Sequence, residues 1–326
     1  MKISKEKYEN IKKLANEDGV IAALAIDQRG SMRKMVAKYN EDLDNVEDIS
    51  RFKALVAEHL TKYSSSILLD PIYGMTAKDK RDSKAGLLMS YEVTGYDNDV
   101  PGRLPILISD MSGLRIKEMG ANAVKILLYY DVDEGDAIND QKKAFIERVG
   151  YECQALGLPF FLEIVSYDAN ITDAKSADYA RLKPRKVIEA VKVFNDKRYM
   201  IDVLKLEVPV NMNFVEGFGP NPIHTQEQAK AFYQELDKAT DIPYIFLSAG
   251  VSAKLFQDTL KFAKEAGSSF NGVLCGRATW ADGVEKFSQG DDQAIEWLET
   301  QGKENITSLN EVLKETAQNI FDKIEC

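Results

Sequence analysis

The chain has 326 residues, of which 44% are hydrophobic and 29% charged, a mixture that suits a folded globular protein and excludes extensive disorder. A net charge of −10 and a pI near 5.0 argue against nucleic acid or an anionic membrane surface as the main partner. No stretch approaches the ~18 apolar residues of a membrane span, and the opening MKISKEKYENIKKLANEDG lacks the apolar core of a secretory signal.

The three cysteines, Cys153, Cys275 and Cys326, form no C-x-x-C pair. A disulfide framework is therefore not expected, and a reducing cytoplasm is the simplest location.

Short apolar runs follow one another along the chain: VIAALAID (20–27), SSSILLD (64–70), LPILISD (104–110), AVKILLYY (123–130), PFFLEIVSYD (159–168), DVLKLEVPV (202–210), PYIFLSAG (243–250) and FNGVLCGRA (270–278). Near-continuous hydrophobicity over so few residues marks a parallel strand covered on both faces. Amphipathic helical segments separate most of them, best seen at 49–63, 141–157, 225–239 and 252–267. Thr225 and Ser252 occupy N-cap positions, and Gly157 and Gly267 suit a left-handed residue after a helix. Eight strands alternating with helices predict an α/β fold, a (β/α)8 TIM barrel forming one domain over residues 1–326, with extra C-terminal helices from DQAIEWLETQG and ITSLNEVLKETAQNIFDKI. A doubly wound open sheet is the structural alternative. It would want a glycine-rich phosphate loop after the first strand, and IDQRGSMRK is not G-x-G-x-x-G.

In a barrel, alternate strand residues point inward and active sites gather at the C-terminal strand ends. Leu204, Leu206 and Val208 suit the helix-facing side of the sixth strand, which turns Val203, Lys205 and Glu207 inward. The same alternation sends Lys125 inward on the fourth strand and Glu163 on the fifth, while Asp27 ends the first. An ion-pair network serving stability alone is a weak explanation, because buried ion pairs are rarely net stabilising. The cluster suits nucleophilic catalysis by an amine: desolvation and a second positive charge, here Lys125, favour the neutral form of a lysine. Lys205 could then attack a ketone to form a Schiff base, with Glu163 as proton shuttle. Asp27 is either part of this site or an N-cap for the next helix. Glu207 is expected inward one layer higher, as an ion-pair or orienting partner.

The last two strands end in small-residue turns, LSAGVSAKLF and CGRATWADG. Loops in this position build phosphate sites from backbone N–H groups, so Ser248, Gly250 and Gly276 would allow close approach of an anion and Arg277 would add a bidentate donor. Gln28 and Arg29, after the first strand, are candidates for a second anionic group. YYDVDEGD (129–136) is carboxylate-rich but lacks EF-hand spacing and reads as a solvated loop. The only histidines, His59 and His224, are too few for a three-histidine metal site, so no metal and no cofactor are expected.

The segments LAIDQRGSMRKM, SSILLDPIYG, NAVKILLYYDVD, PFFLEIVSYD, DVLKLEVPVNMNFVEGF, PYIFLSAGVSAKLFQDTLKFA and FNGVLCGRATWADGV resemble, in order, those of the tagatose 1,6-bisphosphate aldolase family. The resemblance covers nearly the whole chain and weakens at both termini. It implies a metal-independent class I aldolase of lactose and galactose catabolism that splits the bisphosphate into dihydroxyacetone phosphate and glyceraldehyde 3-phosphate. It implies Lys205 as the Schiff-base lysine and Glu163 as the acid/base carboxylate, with Asp27 and Lys125 in the active site. Gln28, Arg29, Ser248, Gly250, Gly276 and Arg277 match segments that contact substrate and phosphate. LPILISDMSGLRI, taken as the third strand and its helix, departs from the family pattern. The partner implied is a phosphorylated ketose, and apolar residues on the outer helices leave room for a homo-oligomer. Two rivals are a barrel isomerase or epimerase using Glu163 as a base, and a non-catalytic regulatory paralogue that senses sugar bisphosphates. The resemblance implies tolerance at carbon 4, the centre at which tagatose and fructose bisphosphates differ.

Overall fold

The computed structural model describes residues 1–93 and 100–326. Eight strands, β1 (Ile21–Ala25), β2 (Ser66–Leu69), β3 (Gly86–Ser90), β4 (Ala123–Tyr130), β5 (Phe160–Ser166), β6 (Val203–Leu206), β7 (Tyr244–Leu247) and β8 (Gly272–Cys275), close into a barrel in chain order. Every neighbouring pair is parallel, including β1 with β8. This is the (β/α)8 architecture expected from the alternation of apolar runs and amphipathic segments.

One strand is elsewhere than expected. The third staves of the barrel are residues 86–90, not LPILISD (104–110). The latter instead lies antiparallel beside the chain leaving β3: Glu92 bridges Leu107, Val93 N–H donates to Ile106 O at 2.7 Å, and Ile108 N–H to Tyr91 O at 3.0 Å. The physical reason is coverage on both faces. GLLMS is buried at every position, whereas Ile106 is 64% exposed and Pro105 has no N–H for a central ladder.

Two apolar layers follow from the period-2 alternation. Leu24, Leu87, Val124, Leu162, Leu204 and Phe246 pack outward against the helices. Ala23, Leu88, Ala123, Phe161, Val203, Ile245 and Leu274 fill the barrel interior. Ile11 and Leu14, from the helix Lys5–Leu14, and Ile320 and Ile324 join the interior cluster, so an N-terminal helix and a C-terminal turn close the bottom of the barrel. The opposite, C-terminal face is thereby left for chemistry.

Helix ends are set by local chemistry. Thr225 forms a reciprocal capping box with Gln228, and Ser252 Oγ accepts from Leu255 N–H. Gly157 (φ 64°) and Gly267 (φ 88°) occupy the left-handed conformation that only glycine adopts without strain. The C-terminal segment forms helices Asp291–Trp297 and Lys303–Thr316 joined by one π-turn.

Candidate active site

The apolar runs outlast the strands: residues 207–210 and 248–250 lie beyond the ladder at the C-terminal face, and 276–278 lead there into the short helix Arg277–Trp280. Parallel register brings the inward side chains level. Glu163 pairs with Lys205 across β5–β6, and β4 is registered on β5 so that Lys125 lies opposite Phe161, one step below Glu163.

Lys205 and Lys125 are 4% and 0% exposed. Glu163 joins them, with Oε1 2.8 Å from Lys205 Nζ and Oε2 3.3 Å from Lys125 Nζ. Lys125 Nζ also lies 2.7 Å from Asp27 Oδ2 and 2.7 Å from Glu92 Oε1. Arg29 donates to the carbonyl of Glu92 at 2.7 Å and stands 3.7 Å from its Oε1. Three cations and three carboxylates thus share one buried volume, a balance without which none could remain charged there.

The electrostatics follow from this packing. Burial alone would raise the Asp27 carboxyl, but Lys125, then Lys205 and Arg29, hold it well below the usual carboxylate range. Burial likewise opposes a charged Lys125, yet Asp27, Glu92 and Glu163 together hold its ammonium well above the ordinary lysine value. Glu92 goes the other way: burial dominates over Lys125 and Arg29, and its carboxyl is raised. Asp27 therefore belongs to the cluster and caps no helix; the next helix, Gly30–Ala37, has Arg29 at its N-cap and no side-chain cap. The Lys125 charge expected to bear on Lys205 is instead compensated by three carboxylates, and the salt bridge of Lys205 among the described residues is to Glu163.

Glu92 is the residue that sequence reasoning missed. It follows β3 by two positions, and its signal is the run GLLMSYE, which is less strand-like in composition than LPILISD. Glu207 is buried beyond the end of β6 as expected, but its partners belong to another network. It lies 3.2 Å from Lys183 Nζ and accepts from Ser166 N–H and Oγ, both at 2.7 Å, while Tyr179 OH donates to Ser166 Oγ.

The turns after β7 and β8 adjoin the cluster. Ala249 and Gly250 are both left-handed (φ 49° and 74°), a conformation that costs an alanine strain and is common at ligand sites. A Cβ on Gly250 would meet Arg277 Cζ at 2.9 Å, so glycine lets the guanidinium lie against the backbone. Gly276 stands at the head of the short helix Arg277–Trp280, with Gln28 Nε2 beside it. Ser248 is buried there, directly after β7. Buried side-chain polar atoms lacking a partner among the described residues are Gln28 Oε1, Arg29 Nε and Nη1, Ser90 Oγ, Glu92 Oε2 and, outside this region, Asn139 Oδ1. Such atoms demand an explanation, and a polar ligand supplies one.

The acidic loop 129–136 is only in part the solvated loop expected: Asp133, Gly135 and Asp136 are exposed, while Asp131 is drawn inside. Asp131 is 1% exposed, and Asp131, Asp133 and Asp168 converge on the buried Lys186 ammonium, which occupies the centre of that carboxylate group. Glu134 takes Lys142 and the Tyr167 hydroxyl. Each carboxylate is drawn in because a lysine from a neighbouring helix needs a counter-charge. His59 pairs with Glu299 and His224 lies against Ala180 O, far apart in the fold. All three cysteines are free, Cys153 and Cys275 buried and Cys326 exposed. No described helix is long and apolar enough to cross a membrane.

A closed parallel barrel that gathers amines and carboxylates at the C-terminal ends of its strands has the form of a (β/α)8 enzyme. The profile of the DeoC/LacD family aldolases matches residues 21–282. Tagatose 1,6-diphosphate aldolase 1 of Enterococcus faecalis is 58% identical over 325 residues, 99% of each chain. Tagatose 1,6-diphosphate aldolase of Staphylococcus epidermidis is 56% identical over 322 residues, covering 98% of this chain and 99% of that one. Among solved structures, the fructose-bisphosphate aldolase of Plasmodium falciparum superposes with a TM-score of 0.62 at 15% identity, over 100% of this chain and 98% of that one, a likeness of fold. The chain belongs to the DeoC/LacD aldolase family, and the protein is an aldolase.

Proposed function

We propose that the protein is a class I aldolase that cleaves tagatose 1,6-bisphosphate, and ketose 1,6-bisphosphates differing at carbon 4, to dihydroxyacetone phosphate and glyceraldehyde 3-phosphate. The observation that carries this reading is the buried Lys205 ammonium 2.8 Å from Glu163, with Lys125 on the other oxygen of the same carboxylate. The names of the Enterococcus and Staphylococcus relatives support the substrate.

A lysine must shed a proton before it attacks a carbonyl, and Glu163 is within transfer distance to take it. Lys205 nitrogen then bonds to carbon 2, the former carbonyl oxygen is protonated through Glu163, and water leaves to give the iminium. Removal of the carbon-4 hydroxyl proton breaks the bond between carbons 3 and 4. The electron pair flows into the iminium as an enamine, and glyceraldehyde 3-phosphate departs. Protonation at carbon 3 and hydrolysis release dihydroxyacetone phosphate and restore the amine. The protonated imine is itself the electron sink, so no metal is required. One phosphate lies on the β7–β8 turns, where Ser248, Gly250, Gly276 and Arg277 converge with Gln28. Arg29, buried against Glu92, acts on the cluster and on the substrate's polar groups. The free, mainly buried thiols suit a reducing cytoplasm, and the reaction serves lactose and galactose breakdown.

Borohydride reduction in the presence of dihydroxyacetone phosphate, followed by peptide mapping, tests this directly. An adduct on Lys205 and full activity in EDTA are expected. An adduct on Lys125, or none, sinks the mechanism. A coupled cleavage assay on tagatose and fructose bisphosphates reads the tolerance at carbon 4.

A further inference from the structure

Arg103 has a left-handed backbone conformation, φ 42°, directly after Gly102 at φ 91°. A non-glycine residue in that region is strained and persists only where its surroundings over-determine it. They do so here. Gly102 N–H donates to Glu134 Oε1 at 3.0 Å, and a Cβ on Gly102 would meet Ile138 at 2.9 Å. Glu134 is in turn fixed by Lys142 and by the Tyr167 hydroxyl.

The strained turn sets the Arg103 guanidinium over two rings, 4.2 Å from the Tyr167 centroid and 5.3 Å from that of Tyr129. The rings themselves meet edge to face at 6.3 Å. Stacking occupies the face of a guanidinium and leaves its five in-plane N–H donors available. Among the described residues, no carboxylate stands within ion-pair distance of Arg103, and no acceptor takes its side-chain N–H groups. In a chain of net charge −10, an arginine with no carboxylate at ion-pair distance among the described residues is placed for an external anion.

Its position selects the anion. Tyr129 is the penultimate residue of β4, on the alternation that turns Lys125 inward, and Tyr167 follows β5. In the ring of eight strands, β6, which bears Lys205, lies midway between the β4–β5 seam and the β7–β8 turns. Arg103 and Arg277 both bear electrostatically on the Tyr129 hydroxyl, behind its burial and the charge of Glu163. A ketose bound through carbon 2 to Lys205 has a phosphate one carbon away on one side and a four-carbon arm on the other. With the near phosphate on the β7–β8 turns, the arm runs toward the β4–β5 seam.

We infer that Arg103 is a specificity-determining residue that binds the phosphate on carbon 6 of the substrate, at the β4–β5 seam opposite the Arg277 subsite. This rests on the aldolase reading above, and it gives the enzyme a means of preferring bisphosphorylated ketoses over 1-phosphates.

The test compares wild type, Arg103→Met and Arg103→Lys on a ketose 1,6-bisphosphate and on the matching ketose 1-phosphate. In Arg103→Met, kcat/KM for the bisphosphate is expected to fall roughly 10- to 100-fold, mainly through KM, while the 1-phosphate is cleaved within about twofold of wild type. Arg103→Lys, which keeps the charge but loses the fork, should recover part of the loss. Unchanged activity on the 1-phosphate also reports that the variant is folded. Equal losses on both substrates make Arg103 a prop for the two tyrosines and overturn the assignment, as does an unchanged preference for the bisphosphate. A wild type that cleaves neither ketose and traps no adduct on Lys205 refutes the aldolase reading and the Arg103 subsite with it. An active wild type with indifferent variants refutes the subsite alone.

Discussion

Glu163 and Lys205 occupy registered positions on adjacent parallel strands, and their side chains meet inside the barrel at 2.8 Å. The pairing is a consequence of strand register: a slip of one residue on either strand would turn one of the two outward into the helix layer. The geometry holds the amine and the carboxylate of the proposed mechanism together before any substrate arrives.

That arrangement predicts unequal losses at the two positions. Lys205→Met should remove the borohydride-trapped adduct and lower kcat on the order of 10⁴-fold or more, since the covalent route is closed. Glu163→Gln should still trap some adduct but lose about 10²- to 10⁴-fold in kcat. Steady-state cleavage assays beside trapping check both, and a trapped adduct in Lys205→Met would contradict the assignment.

Lys125 meets Asp27, Glu92 and Glu163 at once. Lys125→Met leaves those carboxylates buried with one cation fewer and should cost about 3–5 kcal/mol in urea unfolding. Adding Glu92→Gln removes one of the stranded charges, so the double variant should be more stable than the sum of the two single effects. Strict additivity would mean that the contacts carry no mutual dependence.

Asp27 gives a pH signature. Its carboxyl is depressed in the folded protein, burial being outweighed by Lys125, Lys205 and Arg29. A depressed carboxyl stabilises the fold above its unfolded value of about 4 and loses that contribution as pH falls below it. The stability gap between wild type and Asp27→Asn should be level across neutral pH and close progressively below about pH 4. Glu92, raised by burial, has the opposite sign, so Glu92→Gln should relieve a loss of stability that sets in as pH climbs above about 4.3. Unfolding midpoints measured across pH would show the two curves diverging in opposite directions.

Gly250→Ala introduces a Cβ at φ 74° and 2.9 Å from Arg277 Cζ. The left-handed backbone alone costs an alanine roughly 1–2 kcal/mol, and the guanidinium must also move. KM for the bisphosphate should rise about tenfold or more with a smaller change in kcat. An unchanged KM would remove this turn from the phosphate site.

The residues by themselves determined the architecture and the inward placement of Lys205. Eight apolar runs separated by amphipathic helices leave few alternatives to a parallel barrel, and period-2 alternation in DVLKLEV turns Lys205 inward whatever surrounds it. The caps at Thr225 and Ser252 were equally legible, because capping is chemistry between residues three apart. What the tertiary structure decided depends on contacts between residues distant in sequence. Whether GLLMS or LPILISD completed the barrel turned on which run could be covered on both faces, and that choice brought Glu92 onto Lys125. Asp131 and Glu134 of the acidic loop joined ion networks only because Lys186 and Lys142 approach from separate helices. Glu207 found Lys183 and Ser166 rather than the lysine two residues before it. Periodicity states which way a side chain points; only packing states which charge it meets there.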